Sequence, residues 1–130
     1  MTGLDSNVLV RYLTQDDPAQ AARATRLIER ELSERAPGYV SLVALAETCW
    51  VLKRLYGVTP AEINTTVRDL LDTRQLMIER RVAVARALEH TGEGRFSDAL
   101  IAALALDAGC SRVVTFDRKA ARLGMTLLGS

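Results

Sequence analysis

The chain is 130 residues long, 48% apolar and 25% charged, and carries 17 basic and 16 acidic side chains for a net charge of +1. That is the size and composition of one globular domain, 1–130, able to bury about two-thirds of its unfolded surface. The near-neutral balance excludes a global basic field, so any contact with nucleic acid has to come from a local patch. No apolar run approaches the roughly 20 residues that span a bilayer, and the start Met-Thr-Gly-Leu-Asp lacks the basic-then-apolar pattern of a secretory leader, so the chain reads as cytoplasmic and not membrane-bound. Cys49 and Cys110 have neither metal-ligand nor redox spacing, and their contexts predict two buried free thiols.

In chain order, residues 2–5 allow a short strand, after which Asp5 or Ser6 caps a first helix running to about Leu13. Asp17 with Pro18 opens a second helix, whose apolar face of Ala21, Ala24, Ile28 and Leu32 is expected to run until Pro37-Gly38. Tyr39 to Leu42 reads as a strand, followed by a helix through Glu47 that Gly57 stops. Thr59-Pro60-Ala61-Glu62 is a capping box, and its helix carries Ile63, Val67, Leu70 and Leu71 on one face. Leu76-Met77-Ile78 is a strand and Val82 to His90 a helix; Gly92-Glu93-Gly94-Arg95 is a loop without the ending of a nucleotide-binding turn. Ser97 is expected to cap a helix ended by Gly109, Arg112 to Thr115 is the clearest strand, and Thr126 to Leu128 is a last edge strand. Short strands alternating with helices imply an α/β fold, a parallel sheet covered on both faces, with any site beyond the carboxyl ends of its strands.

Four acids stand in apolar surroundings: Asp5 after the first strand, Glu47 within Leu42 to Leu52, Asp98 at the head of Ala99 to Leu104, and Asp117 after Val113 to Phe116. Acids are seldom buried unless paired or bound to metal. Each has a plainer reading, as turn or helix cap for Asp5, Asp98 and Asp117; Glu47, flanked at helical spacing by Val43, Ala44, Trp50 and Val51, is expected to point into packing, its plainer reading being a long side chain that snorkels to solvent. Convergence changes the reading, because two carboxylates 4 Å apart repel by about 4 kcal/mol at an effective dielectric of 20. A cluster of four therefore needs a cation, a shared proton, or both. Oxygen-only ligands favour Mg²⁺ or Mn²⁺ over zinc, and the single histidine, His90, sits late in a helix, which argues against histidine-based hydrolysis.

The set Leu4-Asp5-Ser6-Asn7-Val8-Leu9, Ala46-Glu47-Thr48, Phe96 to Ala102 and Val114-Thr115-Phe116-Asp117 resembles the PIN-domain ribonucleases, and in length and motif spacing the chain is most similar to the VapC-type toxins of bacterial toxin–antitoxin pairs. The resemblance implies a three-layer α/β/α domain with a mostly parallel central sheet of four to five strands. It implies Asp5 and Asp98 as principal metal ligands, with Glu47 and Asp117 completing the pocket directly or through water and Asn7 and Thr115 holding the carboxylates. It further implies Mg²⁺-dependent hydrolysis of RNA, with Mn²⁺ as a substitute, to 5′-phosphate and 3′-hydroxyl ends, in a homodimer neutralised by a small antitoxin. Arg11, Arg95, Arg118 and Lys119 lie near the acidic motifs as phosphate contacts. Ser6 stands where threonine is more usual, which keeps the hydroxyl.

Three other readings fit less well. A receiver-type phosphorylation domain would place an acidic pair directly after the first strand, whereas Asp16-Asp17 follows a helix. A phosphatase of the haloacid dehalogenase type would want an aspartate where Asn7 stands. A catalytically silent PIN-like binding module would have little need of all four acids.

Overall fold

Every strand among the described residues pairs in parallel. The structure, a computed structural model, describes residues 1–92 and 94–129. The elements run β1 (Thr2–Gly3), α1 (Ser6–Thr14), α2 (Pro18–Arg26) with a π-helical turn at Leu27–Glu31, β2 (Gly38–Val40), α3 (Leu42–Tyr56), α4 (Pro60–Leu71), β3 (Leu76–Ile78), α5 (Arg81–Glu89), α6 (Phe96–Asp107), β4 (Val114–Thr115), α7 (Arg118–Ala121) and β5 (Thr126–Leu127). β2 is central, aligning Gly38 with Thr2 of β1 and with Leu76 of β3. Among the described residues β4 and β5 form a second parallel ladder, Val114 opposite Thr126. The expected α/β architecture is present, with its strands divided between two ladders.

The core explains why β2 lies where it does. Val40 is fully buried, and a Cβ at Gly38 would stand 2.7 Å from Leu32 Cδ1 and 2.9 Å from Leu4 Cδ1, so only glycine admits the close approach of both leucines. Leu9, Ile28, Leu45, Val67 and Val84 close over the ladder from α1, the π-helical turn, α3, α4 and α5. The capping box forms as the sequence predicts, Thr59 Oγ1 accepting from the Glu62 amide while the Thr59 amide donates to Glu62. Gly57 ends α3 with φ of 64°. His90 is the last cap of α5, its ring nitrogen on the Arg86 carbonyl oxygen, which is the helix-end role its position suggests.

Several boundaries differ from expectation. The second helix widens into a π turn closed by the Leu32 amide on the Leu27 oxygen, 2.9 Å, and stops at Glu31, short of Pro37. β2 ends at Val40 because Ser41 is already the cap of α3, accepting from the Ala44 amide. Arg95, not Ser97, is the cap residue of α6; Glu93 of the preceding loop lies outside the described residues. The strand expected from Arg112 is two residues long, and both Val114 within it and Phe116 just after it are exposed, Phe116 at 81%. Cys49 is buried, and burial pushes its thiol up to about 12, but Cys110 is exposed after α6. No helix among the described residues is long and apolar enough to cross a membrane.

These differences in burial set an expected contrast. Leu45→Ala, at a fully buried position, should lower stability by about 2–5 kcal/mol. Phe116→Ala should stay within about 0.5 kcal/mol of the parent protein. Urea unfolding midpoints for the three proteins check both.

Candidate active site

Parallel pairing sends the chain out of β1, β2 and β3 at the same end of the ladder, and there Ser6, the residue after Asp5, reaches Glu47. Asp5 follows β1 after Leu4 and caps α1, its Oδ1 accepting from the Val8 amide at 3.2 Å. The next residue, Ser6, is buried, and its hydroxyl donates to Glu47 Oε1 on α3. Glu47 is not turned into packing. Val43 and Trp50, its neighbours at helical spacing, are 76% and 60% exposed, so that face of α3 looks outward and Glu47 is exposed on it. Ser6 thus holds a surface carboxylate by one oxygen.

The other two acids meet on an arginine. Asp98 lies in the first turn of α6 with its side chain 18% exposed, and its Oδ2 is 3.3 Å from Arg95 Nε. Asp117 caps α7, accepting the Lys119 amide on Oδ1 at 2.8 Å and Arg95 Nη2 on Oδ2 at 2.9 Å. The Lys119 backbone N–H, with the charges of Arg95 and Lys119 adding to it, holds the Asp117 carboxyl below the usual carboxylate range. Thr115 Oγ1 accepts from the Asp117 amide at 3.0 Å, fixing the turn that aims this carboxylate.

The two halves share a wall. A cleft of about 600 Å³ is lined by Glu47, Trp50, Lys53, Arg95 and Ser97 among others. An adjoining one of about 390 Å³ is lined by Lys53, Arg95, Asp98, Asp117 and Lys119. Asp5 and Asn7 line a third, toward Arg11 and Arg23. Among the described residues no group of three or more His, Cys, Asp or Glu side chains stands close enough to hold a metal ion. The structure joins Asp98 to Asp117 through Arg95 and ties Glu47 to Ser6, while Asp5 lines a separate cleft, so the four acids expected to converge are divided. The donor set is oxygen only, which suits a hard divalent cation, and a cationic group, the Arg95 guanidinium, is already seated between two of the carboxylates. On donor chemistry and charge, the residues present fit such an ion.

The basic residues divide as well. Arg11 is held by Asp16 at 3.0 Å, Gln20 at 2.8 Å and Tyr56 at 3.3 Å, a clasp joining α1 to α3 and to the start of α2. Tyr56 also donates to Asp16, which keeps that carboxyl below its ordinary range. Arg118 and Lys119 are exposed on α7. Sequence reasoning missed two contributors. Ser6 entered it as an alternative cap of the first helix and as a substitute for threonine, though a hydroxyl one residue after Asp5 was the available signal. Lys53 was passed over, although the chain has only two lysines, Lys53 and Lys119, and both line the cleft over Asp98 and Asp117.

No curated protein matches the chain. The family model described as PIN domain matches residues 4–124, which contain all four acids and both lysines. With the match covering nearly its whole length, the chain belongs to the PIN domain family, whose fold is generally that of a metal-dependent nuclease.

Proposed function

We propose that the protein, acting as a single domain over its 130 residues, is a Mg²⁺-dependent endoribonuclease, with Mn²⁺ able to substitute, and that it is the toxin of a toxin–antitoxin pair working in the cytoplasm. The observation that carries the nuclease reading is the meeting of Asp98 and Asp117, from separate elements, on one cationic group in a cleft rimmed by both lysines. Such a cleft offers carboxylates for a metal and ammonium groups for phosphate within the same space. In this reading Asp5 and Asp98 are the principal ligands, with Glu47 and Asp117 bound directly or through water. The cation supplies Lewis-acid polarisation of a phosphodiester and a more acidic attacking water.

The chain's own residues do the rest. Ser6 fixes Glu47 by its hydrogen bond, and Thr115 and the Lys119 amide fix Asp117. Asn7 stands exposed beside Asp5, available to orient water or substrate. Because Arg11 is engaged by Asp16 and Gln20, phosphate binding falls mainly to Arg118, Lys119 and Lys53. The toxin assignment rests on length and motif spacing. A homodimer would cover the outward face of α3 around Trp50, where Ile63 of α4 lines the adjoining cleft, and a small antitoxin would cover the acidic cleft.

Purified protein should cut single-stranded or looped RNA in Mg²⁺ or Mn²⁺, leave 5′-phosphate and 3′-hydroxyl ends, and stop in EDTA. Cleavage that persists in EDTA and leaves 2′,3′-cyclic phosphates would remove the metal mechanism, and RNA binding without cleavage would indicate a silent binding module. Asp98→Asn should lower the cleavage rate by at least about a hundredfold, the upper end of what changes around a metal ligand cost. Its melting temperature in EDTA should change little, since a part-exposed ion pair contributes about 0.2–1 kcal/mol. Light scattering should give twice the chain mass, and expression without the partner should arrest growth; a monomer whose expression is harmless would count against the toxin reading.

A further inference from the structure

Arg95 sits at a position that local structure does not account for. It is the cap residue of α6, where Ser, Thr, Asp or Asn is favoured, and it makes no side-chain capping hydrogen bond. A cation at a helix N-terminus also opposes the positive end of the helix dipole. The backbone is drawn in tightly just before it. The Gly94 amide donates to the Thr91 oxygen at 2.6 Å, and a Cβ at Gly94 would stand 3.0 Å from both that oxygen and the Leu123 side chain. What the guanidinium meets is acid on two sides, Asp98 Oδ2 at 3.3 Å and Asp117 Oδ2 at 2.9 Å. These are the oxygens a divalent cation would need if the nuclease reading, on which this argument rests, is right.

We infer that Arg95 is a positioning residue, an internal counter-cation that holds Asp98 and Asp117 together in the metal-free protein and gives them up when a divalent ion binds. The guanidinium and a metal ion compete for the negative charge of the same two carboxylates, so Arg95 lowers metal affinity while keeping the two carboxylates in register. Arg suits the task because its planar fork reaches both acids through different nitrogens; a lysine ammonium is a point charge. Once displaced, the guanidinium stays in the cleft lined by Lys53 and Lys119, where an RNA phosphate can take it. Any phosphate that binds Arg95 then favours metal binding, and by linkage the metal favours the phosphate to the same degree.

The test is Mn²⁺ binding, read by electron paramagnetic resonance and calorimetry on the full chain without RNA, for the parent protein, Arg95→Ala and Arg95→Lys. Arg95→Ala should bind Mn²⁺ roughly three- to thirtyfold more tightly, the range that two part-exposed ion pairs can supply. Its melting temperature in EDTA should fall, and Arg95→Lys should lie between the two. In the parent protein, titration with diamagnetic Mg²⁺ should move the Arg95 Nε–H resonance as the guanidinium leaves its carboxylates, a readout that does not depend on either variant folding. Equal Mn²⁺ affinity in all three proteins, or an Arg95 resonance that ignores bound Mg²⁺, would overturn the inference and leave the nuclease reading standing. No Mn²⁺ binding by any of the three would overturn both.

Discussion

Parallel pairing about a three-residue central strand decides where the chemistry of this chain can lie. With β1 and β3 both running alongside β2, the residues that follow these strands leave at the same end of the ladder, so Asp5, Ser41 and Glu79 emerge together. Their roles there differ. Ser41 and Glu79 both serve α3, the first accepting the Ala44 amide and the second the Leu42 amide at 2.8 Å. That anchors the start of the helix that carries Glu47. Asp5 caps the helix that begins with Ser6, and Ser6 in turn takes hold of Glu47. The ladder thus fixes helix starts, and helix starts fix carboxylates.

Charge then sets limits on how close those carboxylates come. Burial without a partner would shift an acid to its neutral form, and crowding would do the same. The protein meets this by giving each acid a donor of its own: a backbone amide for Asp5, a hydroxyl for Glu47, and a guanidinium shared by Asp98 and Asp117. Asp117 has a backbone amide as well. The backbone amides are donors that ordinary helix and turn formation places nearby, whereas the Ser6 hydroxyl and the Arg95 guanidinium reach across between elements.

Much of this was legible in the sequence, and for identifiable reasons. The α4 capping box, the Gly57 stop and the apolar face through Ile63 and Val67 depend on residues within a few positions of one another, and pattern reading captures them. The four acids were legible because an acid in an apolar run is costly enough to stand out. What was lost depends on tertiary placement. Glu47 has apolar neighbours at helical spacing, but which face of α3 turns inward is set by α1 and α4 packing on the other side, through Leu45, Cys49 and Leu52. The Ser6 bond to Glu47 spans 41 positions and the Arg95 bond to Asp117 spans 22, and no local periodicity reports either. Strand-like composition at Arg112 to Thr115 overstated β4, since Val114 and Phe116 find no apolar partner surface to reward extended pairing.

That short second ladder carries a consequence for how the protein would fail under stress. Asp117 belongs to a β4-α7-β5 unit whose strands are two residues each and whose buried side chains are few, chiefly Ala120 and Met125. Units with few buried apolar contacts open at lower free energy than the core that holds α1, α3 and α6. The acidic cleft is therefore joined from a deep-rooted part and a shallow-rooted part of one chain. On warming, the shallow part would detach first, taking Asp117 from Arg95 while the central ladder stays intact. Loss of the assembled cleft would precede loss of the fold, and would reverse on cooling without any need to refold the core.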